Sequence, residues 1–147
     1  MRELKTAKIR LVPVDPDDPF HVLHLYNLLS ERTPKQSISH KEMPTYAQHE
    51  AFVKSKPYAA WYLVMAKKFT LGAVYITHAS ELGLFLFNYF QGGGFGTRVI
   101  ETILNKFPNA NFYANIAPRN IASQKFFEKL GFKPIQYTYR RTPQNDE

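Results

Sequence analysis

The chain has 147 residues, a length that fits one domain over residues 1–147 with a core large enough to need no disulfide staples. It contains no cysteine, which excludes a disulfide framework, a thiolate zinc site and a cysteine nucleophile. The net charge of +7 indicates either an anionic partner or a solubilising surface, and it does not choose between them.

The first half of the chain predicts one strand followed by two helices. Ile9–Pro13 has the pattern of a short strand, and Asp18 followed by Pro19 is typical of a helix N-cap and first helical position. Thr45, with Gln48 three residues later, has the form of a capping box, so a second helix is expected to open there and run to about Lys54. The polar stretch between the two helices predicts a loop.

The second half predicts most of a sheet and two more helices. Three apolar runs have strand patterns, the first two as a hairpin and the third as a central strand: Trp61–Ala66, Gly72–Thr77 and Leu82–Phe87. A helix with apolar residues at helical spacing follows the third run. Phe112–Ile116 then predicts a buried strand, Asn120 caps a helix that ends before Gly131, and Pro134–Arg140 predicts a last strand. This order predicts a mixed α/β domain around one sheet.

The distribution of apolar residues predicts a cytoplasmic protein without membrane contact. The longest apolar run, Ala59–Ala66, is far shorter than the roughly 20 residues that a membrane helix needs. Residues 1–20 carry charges of both signs and no apolar segment of the kind found in a signal peptide.

Four of the seven glycines lie between positions 92 and 96, between an apolar strand and an amphipathic helix. Glycines let successive backbone N–H groups turn toward one point, and a helix start adds unpaired N–H groups and a positive dipole end. We interpret the segment as a diphosphate cradle, with a flexible loop as the alternative. No lysine follows the glycines as in a Walker loop, and the segment comes too late for a Rossmann fingerprint.

Two motifs resemble the signatures of the GNAT superfamily of acetyl-CoA-dependent N-acetyltransferases. Gln91–Gly96 fits the pattern Gln/Arg-x-x-Gly-x-Gly/Ala, and Asn120–Phe132 is similar to Asn-x-x-Ser/Ala-x-x-aromatic-Tyr/Phe-Glu-x-x-Gly-Phe. Glu81–Leu86 is similar to the central strand that precedes the loop in this family. The resemblance implies an enzyme that uses acetyl-CoA as co-substrate without a metal. It also implies a GNAT-like α/β (α+β) fold, in which about four helices flank one central, mixed and mostly antiparallel sheet.

The resemblance assigns the cofactor to the loop and to the strand before it. Phe85–Phe87 would pair with the pantetheine arm, and the backbone N–H of Leu86 would polarise the thioester carbonyl as an oxyanion-hole donor does. The resemblance also implies which residues hold the diphosphate. The side chain of Gln91 would lie nearby, and the backbone amides would come from Gly92, Gly93, Gly94, Phe95, Gly96 and Thr97.

The second motif departs from the family at one position. Asn120 and Ser123 would hydrogen-bond the pantetheine, and Phe127 would pack near it. Many family members have a tyrosine at the position of Phe127, proposed as the acid that protonates the leaving thiolate. A phenyl ring has no proton to give. The leaving thiolate must therefore be protonated by another group or by water, or it leaves without acid catalysis.

The acceptor amine must lose a proton before it attacks, which requires a base or a water chain. Glu81 is the first candidate because it begins the central strand beside the expected cleft; a solvated strand-end carboxylate is the alternative. His49 is the second, on the helix expected to line the acceptor side, and a packed, hydrogen-bonded histidine is its alternative. His78, at a strand end, is a weaker option.

The acceptor is expected to be a primary amine of a small molecule or of a nucleotide-linked amino sugar. Met43–Phe52 resembles the histidine-bearing second helix of family members that acetylate such sugars, and less closely that of ribosomal-protein N-terminal acetyltransferases. A protein N-terminus and a coenzyme A-binding domain without catalysis are the alternatives. Nucleic acid is disfavoured because the basic residues are scattered and the aromatics lie in strand patterns. A homodimer stays open.

Overall fold

The structure is a computed structural model that describes residues 2–32 and 42–144. Its sheet has five strands, and their order in the sheet is their order along the chain. The first three pairings are antiparallel, and the last is parallel. This confirms the expected mixed, mostly antiparallel sheet. The strands are β1 (Ile9–Pro13), β2 (Ala60–Ala66), β3 (Phe69–Ile76), β4 (Glu81–Leu86) and β5 (Tyr113–Ala114).

Four α-helices cover the two faces of the sheet in the described part of the chain. Because side chains alternate along a strand, the middle strands bury residues on both faces. Leu63 and Ala73 pack with the first two helices, whereas Val64 and Val74 pack with the third. None of the described helices is long and apolar enough to cross a bilayer. The helices are α1 (Pro19–Ser30), α2 (Tyr46–Lys54), α3 (Phe95–Lys106) and α4 (Ile121–Lys129), with 3₁₀ turns at Arg2–Leu4 and Asn88–Phe90.

The predicted helix starts are confirmed by their capping hydrogen bonds. The side chain of Asp18 accepts from the backbone N–H of Phe20 at 2.9 Å. Thr45 and Gln48 form both halves of a capping box, with side-chain-to-backbone distances of 2.9 and 3.1 Å. These bonds pair N–H groups that a helix start would otherwise leave without a partner.

Two predicted strands near the C-terminus differ from the structure. The last, Pro134–Arg140, is wrong: the described residues after α4 contain no strand, and Tyr139 is 90% exposed. The predicted buried strand Phe112–Ile116 is reduced to the two residues of β5, of which Tyr113 is 44% exposed. Alternating apolar residues indicate an extended chain, but a strand also needs a partner for its backbone, and β5 pairs with only Glu81 and Leu82.

We expect Thr45→Ala to lower the free energy of unfolding by about 1 kcal/mol, because the N–H of Gln48 loses its capping acceptor. Urea unfolding followed by circular dichroism measures this change. Thr138→Ala, at an exposed position outside any helix or strand, is the matched control and should leave stability unchanged. Equal stabilities of the two variants would show that the cap contributes nothing measurable.

Candidate active site

Within residues 2–32 and 42–144, the edge of β4 that faces β5 is left largely without a strand partner. The N–H of Phe87, just after β4, donates to the carbonyl of Leu71 at 2.9 Å, so this residue directs its backbone toward β3. Successive residues alternate in direction, and the N–H of Leu86 therefore points to the opposite edge. On that edge β5 pairs with only Glu81 and Leu82. The Leu86 N–H thus lies beyond the end of this pairing.

A glycine loop opens α3 close to this edge. Gly92 and Gly94 have φ values of +81° and +83°, in the left-handed region that favours glycine. A Cβ placed on either residue meets no protein atom within 4 Å, so the loop faces open space. Gly94 is also the N-cap of α3 and offers no side chain to its first N–H groups. Unpaired amides around an open space fit a diphosphate.

Gln91 braces this loop against the end of β4. Its Nε2 donates to the carbonyl of Leu86 at 3.0 Å and to Oδ1 of Asn88 at 3.2 Å. Since both hydrogens of the amide nitrogen have partners, the side chain holds the loop in place and has no further donor for a phosphate.

Helix α4 packs closely against the start of α3. A Cβ on Gly96 would lie 3.3 Å from the ring of Phe126, which makes a small residue necessary there. Phe127 packs edge-on against Phe126, with ring centroids 5.0 Å apart. Asn120 caps the helix, its Oδ1 accepting from the N–H of Ser123 at 3.1 Å. The cap occupies the oxygen of the Asn120 amide and leaves its NH₂ group as a hydrogen-bond donor.

The opposite face of the sheet carries a cleft with aromatic walls between α1, α2 and the strands. It holds about 610 Å³ of space when the part open to solvent is counted. The rings of Tyr58 and Tyr75 stack with centroids 4.0 Å apart, and Tyr58 also meets Trp61 edge-on at 4.8 Å. The aromatic lining residues are Phe52, Tyr58, Trp61, Tyr75 and Phe85.

Tyr75 lies directly over the middle of β4. A Cβ on Gly83 would be 2.1 Å from the Cζ atom of Tyr75, so the ring occupies the space that a side chain would take. Burial raises the pKa of Tyr75, and the positive charge of Arg32 and the negative charge of Glu81 act on it in opposite directions. Burial also raises the pKa of Tyr58 to about 12. Both phenols therefore stay protonated near neutral pH.

Sequence reasoning missed these cleft residues. Arg32, Tyr58 and Tyr75 belong to no motif, and tertiary packing alone brings them together. One signal was available: Gly83 interrupts an apolar strand, and a glycine in a strand interior often marks the close approach of another group.

The structure places the two principal candidate bases differently. Glu81 shares a sheet face with Gly83 and Phe85, by strand alternation, and its Oε1 accepts from Oγ1 of Thr77 at 3.3 Å. His49 lines the cleft but is only 4% exposed. The weaker candidate, His78, is exposed.

His49 is held between the first two helices. Its Nε2 lies 3.1 Å from the carbonyl of Val22, and since a carbonyl only accepts, Nε2 carries the hydrogen and Nδ1 the lone pair. The ring packs near Tyr26 and Tyr46, with centroid distances of 5.2 and 6.3 Å. Burial lowers the pKa of His49, so the ring is neutral at physiological pH.

Solved structures of several acetyltransferases share this fold. An acetyltransferase from Thermus thermophilus shares the fold with a TM-score of 0.71 at 18% identity, over 88% of this chain and 89% of that one. AAC(6')-Iy in complex with the bisubstrate analog CoA-S-monomethyl-acetylneamine gives a TM-score of 0.63 at 17% identity, over 92% and 97% of the two chains. A chimera of spermidine N-acetyltransferase from Vibrio cholerae and hSSAT gives 0.68 at 17% identity, over 84% and 79%.

The family assignment rests on the sequence profile of the acetyltransferase (GNAT) domain, which matches residues 8–133. No curated protein sequence matches the chain. The matched range contains the glycine loop, β4 and α4. The chain therefore belongs to the GNAT family and is an acetyltransferase.

Proposed function

We propose that this enzyme transfers the acetyl group of acetyl-CoA to a primary amine of a small molecule, by direct attack in a ternary complex. The observation that carries the proposal is the position of β4 between two sites. The loop and the unpaired edge at Leu86 lie on one side of this strand, and Phe85 faces the aromatic cleft on the other. Two substrates could thus meet at one strand.

The residues around the loop fit a coenzyme A diphosphate. Gly92, Gly93 and Gly94 and the first turn of α3, from Phe95 to Thr97, would supply the N–H groups, and the space beside Gly92 and Gly94 is open. The pantetheine would lie along Phe85–Phe87, with Asn120, Ser123 and Phe127 of the α4 region beside it. The coenzyme A analog bound to AAC(6')-Iy, which shares this fold, supports the assignment.

Acetyl-CoA supplies an activated acyl group, and the protein supplies position and charge stabilisation. The amine nitrogen forms a bond to the acetyl carbon, the C–S bond breaks, and coenzyme A leaves as a thiol after taking up one proton. The Leu86 N–H would stabilise the negative charge that develops on the carbonyl oxygen. Holding the two substrates together can contribute about 7–11 kcal/mol to the lowering of the barrier.

Glu81 is the preferred base in this proposal. It begins β4, shares the face of Phe85, and lies close enough to Tyr75 for its charge to act on that phenol. His49 is the second candidate, acting through Nδ1, but its hydrogen bond to Val22 and its burial also suit a positioning role. With Phe127 unable to donate, the thiolate would take its proton from water.

The lining of the cleft, mainly apolar and aromatic with a few polar groups, favours a small acceptor, either a simple amine or a nucleotide-linked amino sugar. A protein N-terminus and a domain that binds coenzyme A without turnover are the alternatives. We take residues 1–147 as a single acetyltransferase domain in the cytoplasm. Nucleic acid has no place in this proposal, and a homodimer stays open.

We expect Gly94→Ala to weaken coenzyme A binding by about tenfold or more, because its Cβ would enter the open space of the loop. Isothermal titration calorimetry measures the dissociation constant. Gly131→Ala is the matched control: Gly131 also has a positive φ, +93°, and open space around its Cβ, but it ends α4. Both variants should lose about 1–2 kcal/mol of stability from backbone strain. Equal affinities would place the diphosphate elsewhere.

We expect Glu81→Gln to lower kcat/KM by roughly 10²–10⁴-fold, because the amide cannot accept the amine proton. Detection of released thiol over a panel of amines measures turnover, and calorimetry verifies that coenzyme A still binds. Glu101→Gln, at an exposed position on α3, is the control for the loss of one negative charge. Full activity of Glu81→Gln would remove this residue from the mechanism.

We expect His49→Gln to lower kcat/KM by less than about tenfold and to keep the acid limb of the pH profile, since glutamine can still donate to Val22. A histidine base would behave differently. Burial lowers the pKa of His49, so activity would fall as pH drops through a value below 6.5, and that limb would vanish in the variant. Loss of the limb would assign the base to His49.

A further inference from the structure

Arg32 places a positive charge inside the acceptor cleft. The residue follows α1, where its N–H donates to the carbonyl of Leu29 at 3.2 Å. Its guanidinium carbon lies 3.8 Å from the centre of the Phe85 ring. Phe85 belongs to β4 and precedes Leu86, so the charge lies one side chain away from the strand that carries the candidate oxyanion donor.

No negative charge in the described part of the chain compensates Arg32. The guanidinium forms no salt bridge there, its Nε is buried without a hydrogen-bond partner, and no aspartate or glutamate lines the cleft. The neighbouring Glu31 accepts instead from the N–H of Asn88 at 2.7 Å. Outside the described residues the only acidic residues are Asp146 and Glu147, at the C-terminus.

The surroundings of Arg32 are ill suited to a purely structural charge. Burial lowers the pKa of Arg32, which means that the cation loses hydration in the cleft. Tyr58 and Tyr75 are protonated near neutral pH and offer no negative charge. The face of Phe85 attracts the cation, but this attraction is weaker than that of an ion pair with two parallel hydrogen bonds. An oxyanion of a ligand would supply the negative charge and the hydrogen-bond acceptors that this half-buried guanidinium lacks.

We propose that Arg32 anchors an oxyanion of the acceptor, so that the substrate is a primary amine that also carries a carboxylate or phosphate group. This proposal rests on the function proposed above and specifies its acceptor. The aromatic walls would pack against the body of the acceptor, and the Arg32 guanidinium would form paired hydrogen bonds with the oxyanion. Amine and oxyanion would both lie near β4.

The same charge disfavours polycationic acceptors. Spermidine and the aminoglycosides are the acceptors that the names of two structural neighbours imply. In the described cleft such a molecule would bring a second and a third positive charge near Arg32, and no carboxylate is among the lining residues to pair with them, since Glu81 lies at the start of β4 outside that lining. The repulsion costs affinity. This enzyme therefore differs from those neighbours in the charge of its acceptor, although it shares their fold.

A binding experiment tests the anchor independently of turnover. Trp61 is the only tryptophan and lines the cleft, so its fluorescence reports occupancy. The probes are para-(aminomethyl)benzoate and para-(aminomethyl)benzamide, which match in shape and differ in charge, titrated into the protein saturated with coenzyme A. We expect the benzoate to bind about tenfold more tightly to the wild type, and Arg32→Met to lose this preference. Arg10 is exposed on β1, so Arg10→Met is the control for the change in net charge and should keep the preference for benzoate.

Two further readouts make the outcome decisive. The thermal midpoint of Arg32→Met should equal or exceed that of the wild type, because an unpaired half-buried cation does not stabilise the fold. A third probe, para-(aminomethyl)phenylphosphonate, replaces the carboxylate with a phosphonate. If the natural oxyanion is a phosphate, this probe should exceed the benzamide in affinity by at least as much as the benzoate does. Three results would overturn the proposed anchor: equal affinities for benzoate and benzamide, no detectable benzoate binding up to about 10 mM, or an unchanged preference for benzoate in Arg32→Met.

Turnover separates this proposal from the function on which it rests. Acetylation of both probes at equal kcat/KM would keep the acetyltransferase proposal and remove the anchor. Selective binding of the benzoate without release of thiol from acetyl-CoA, across the whole amine panel, would keep the anchor and remove catalysis. Spermidine, used as a third acceptor, should react more slowly than the benzoate in the wild type.

Discussion

The short parallel pairing between β4 and β5 is the constraint on which the site depends. A buried strand edge normally pairs its N–H and C=O groups with a neighbouring strand, because unpaired groups are costly. Here the pairing covers only Glu81 and Leu82, and the rest of β4 directs every second residue toward an open edge. Gln91 occupies the carbonyl of Leu86 from the loop side. The N–H of the same residue lies beyond the pairing with β5 and is the oxyanion donor of the proposed function.

On each side of β4 an aromatic ring packs closely against a glycine. Tyr75 lies over Gly83 on the cleft side, and Phe126 lies against Gly96 on the loop side. A side chain at Gly83 would overlap the Tyr75 ring, and one at Gly96 would require the Phe126 ring to shift slightly. The two contacts set how near these rings lie to β4 and to the start of α3.

The cleft is apolar except for a few groups whose environments differ sharply. His49 is neutral, hydrogen-bonded and packed between tyrosines, which are the properties of a residue that positions a helix. Arg32 is charged and only partly shielded by a ring. Buried charges without partners are rare in stable folds because desolvation opposes them. His49 thus has the surroundings of a positioning residue, and Arg32 is the charge on which the proposed oxyanion anchor rests.

The sequence by itself determined the helix starts, the first four strands, the glycine loop and the family, because these depend on local patterns. Each of these signals lies within about a dozen consecutive residues, as do the helix cap at Thr45, the alternating apolar runs and the motif Gln91–Gly96. Strand pairing and the cleft depend on contacts between residues far apart in the chain. The Pro134–Arg140 pattern indicated an extended chain but had no strand partner, and Arg32 and Tyr75 meet only because α1 packs across β3 and β4. Tertiary structure alone decided which polar groups remain unpaired, since hydrogen bonding and burial are properties of the packed molecule.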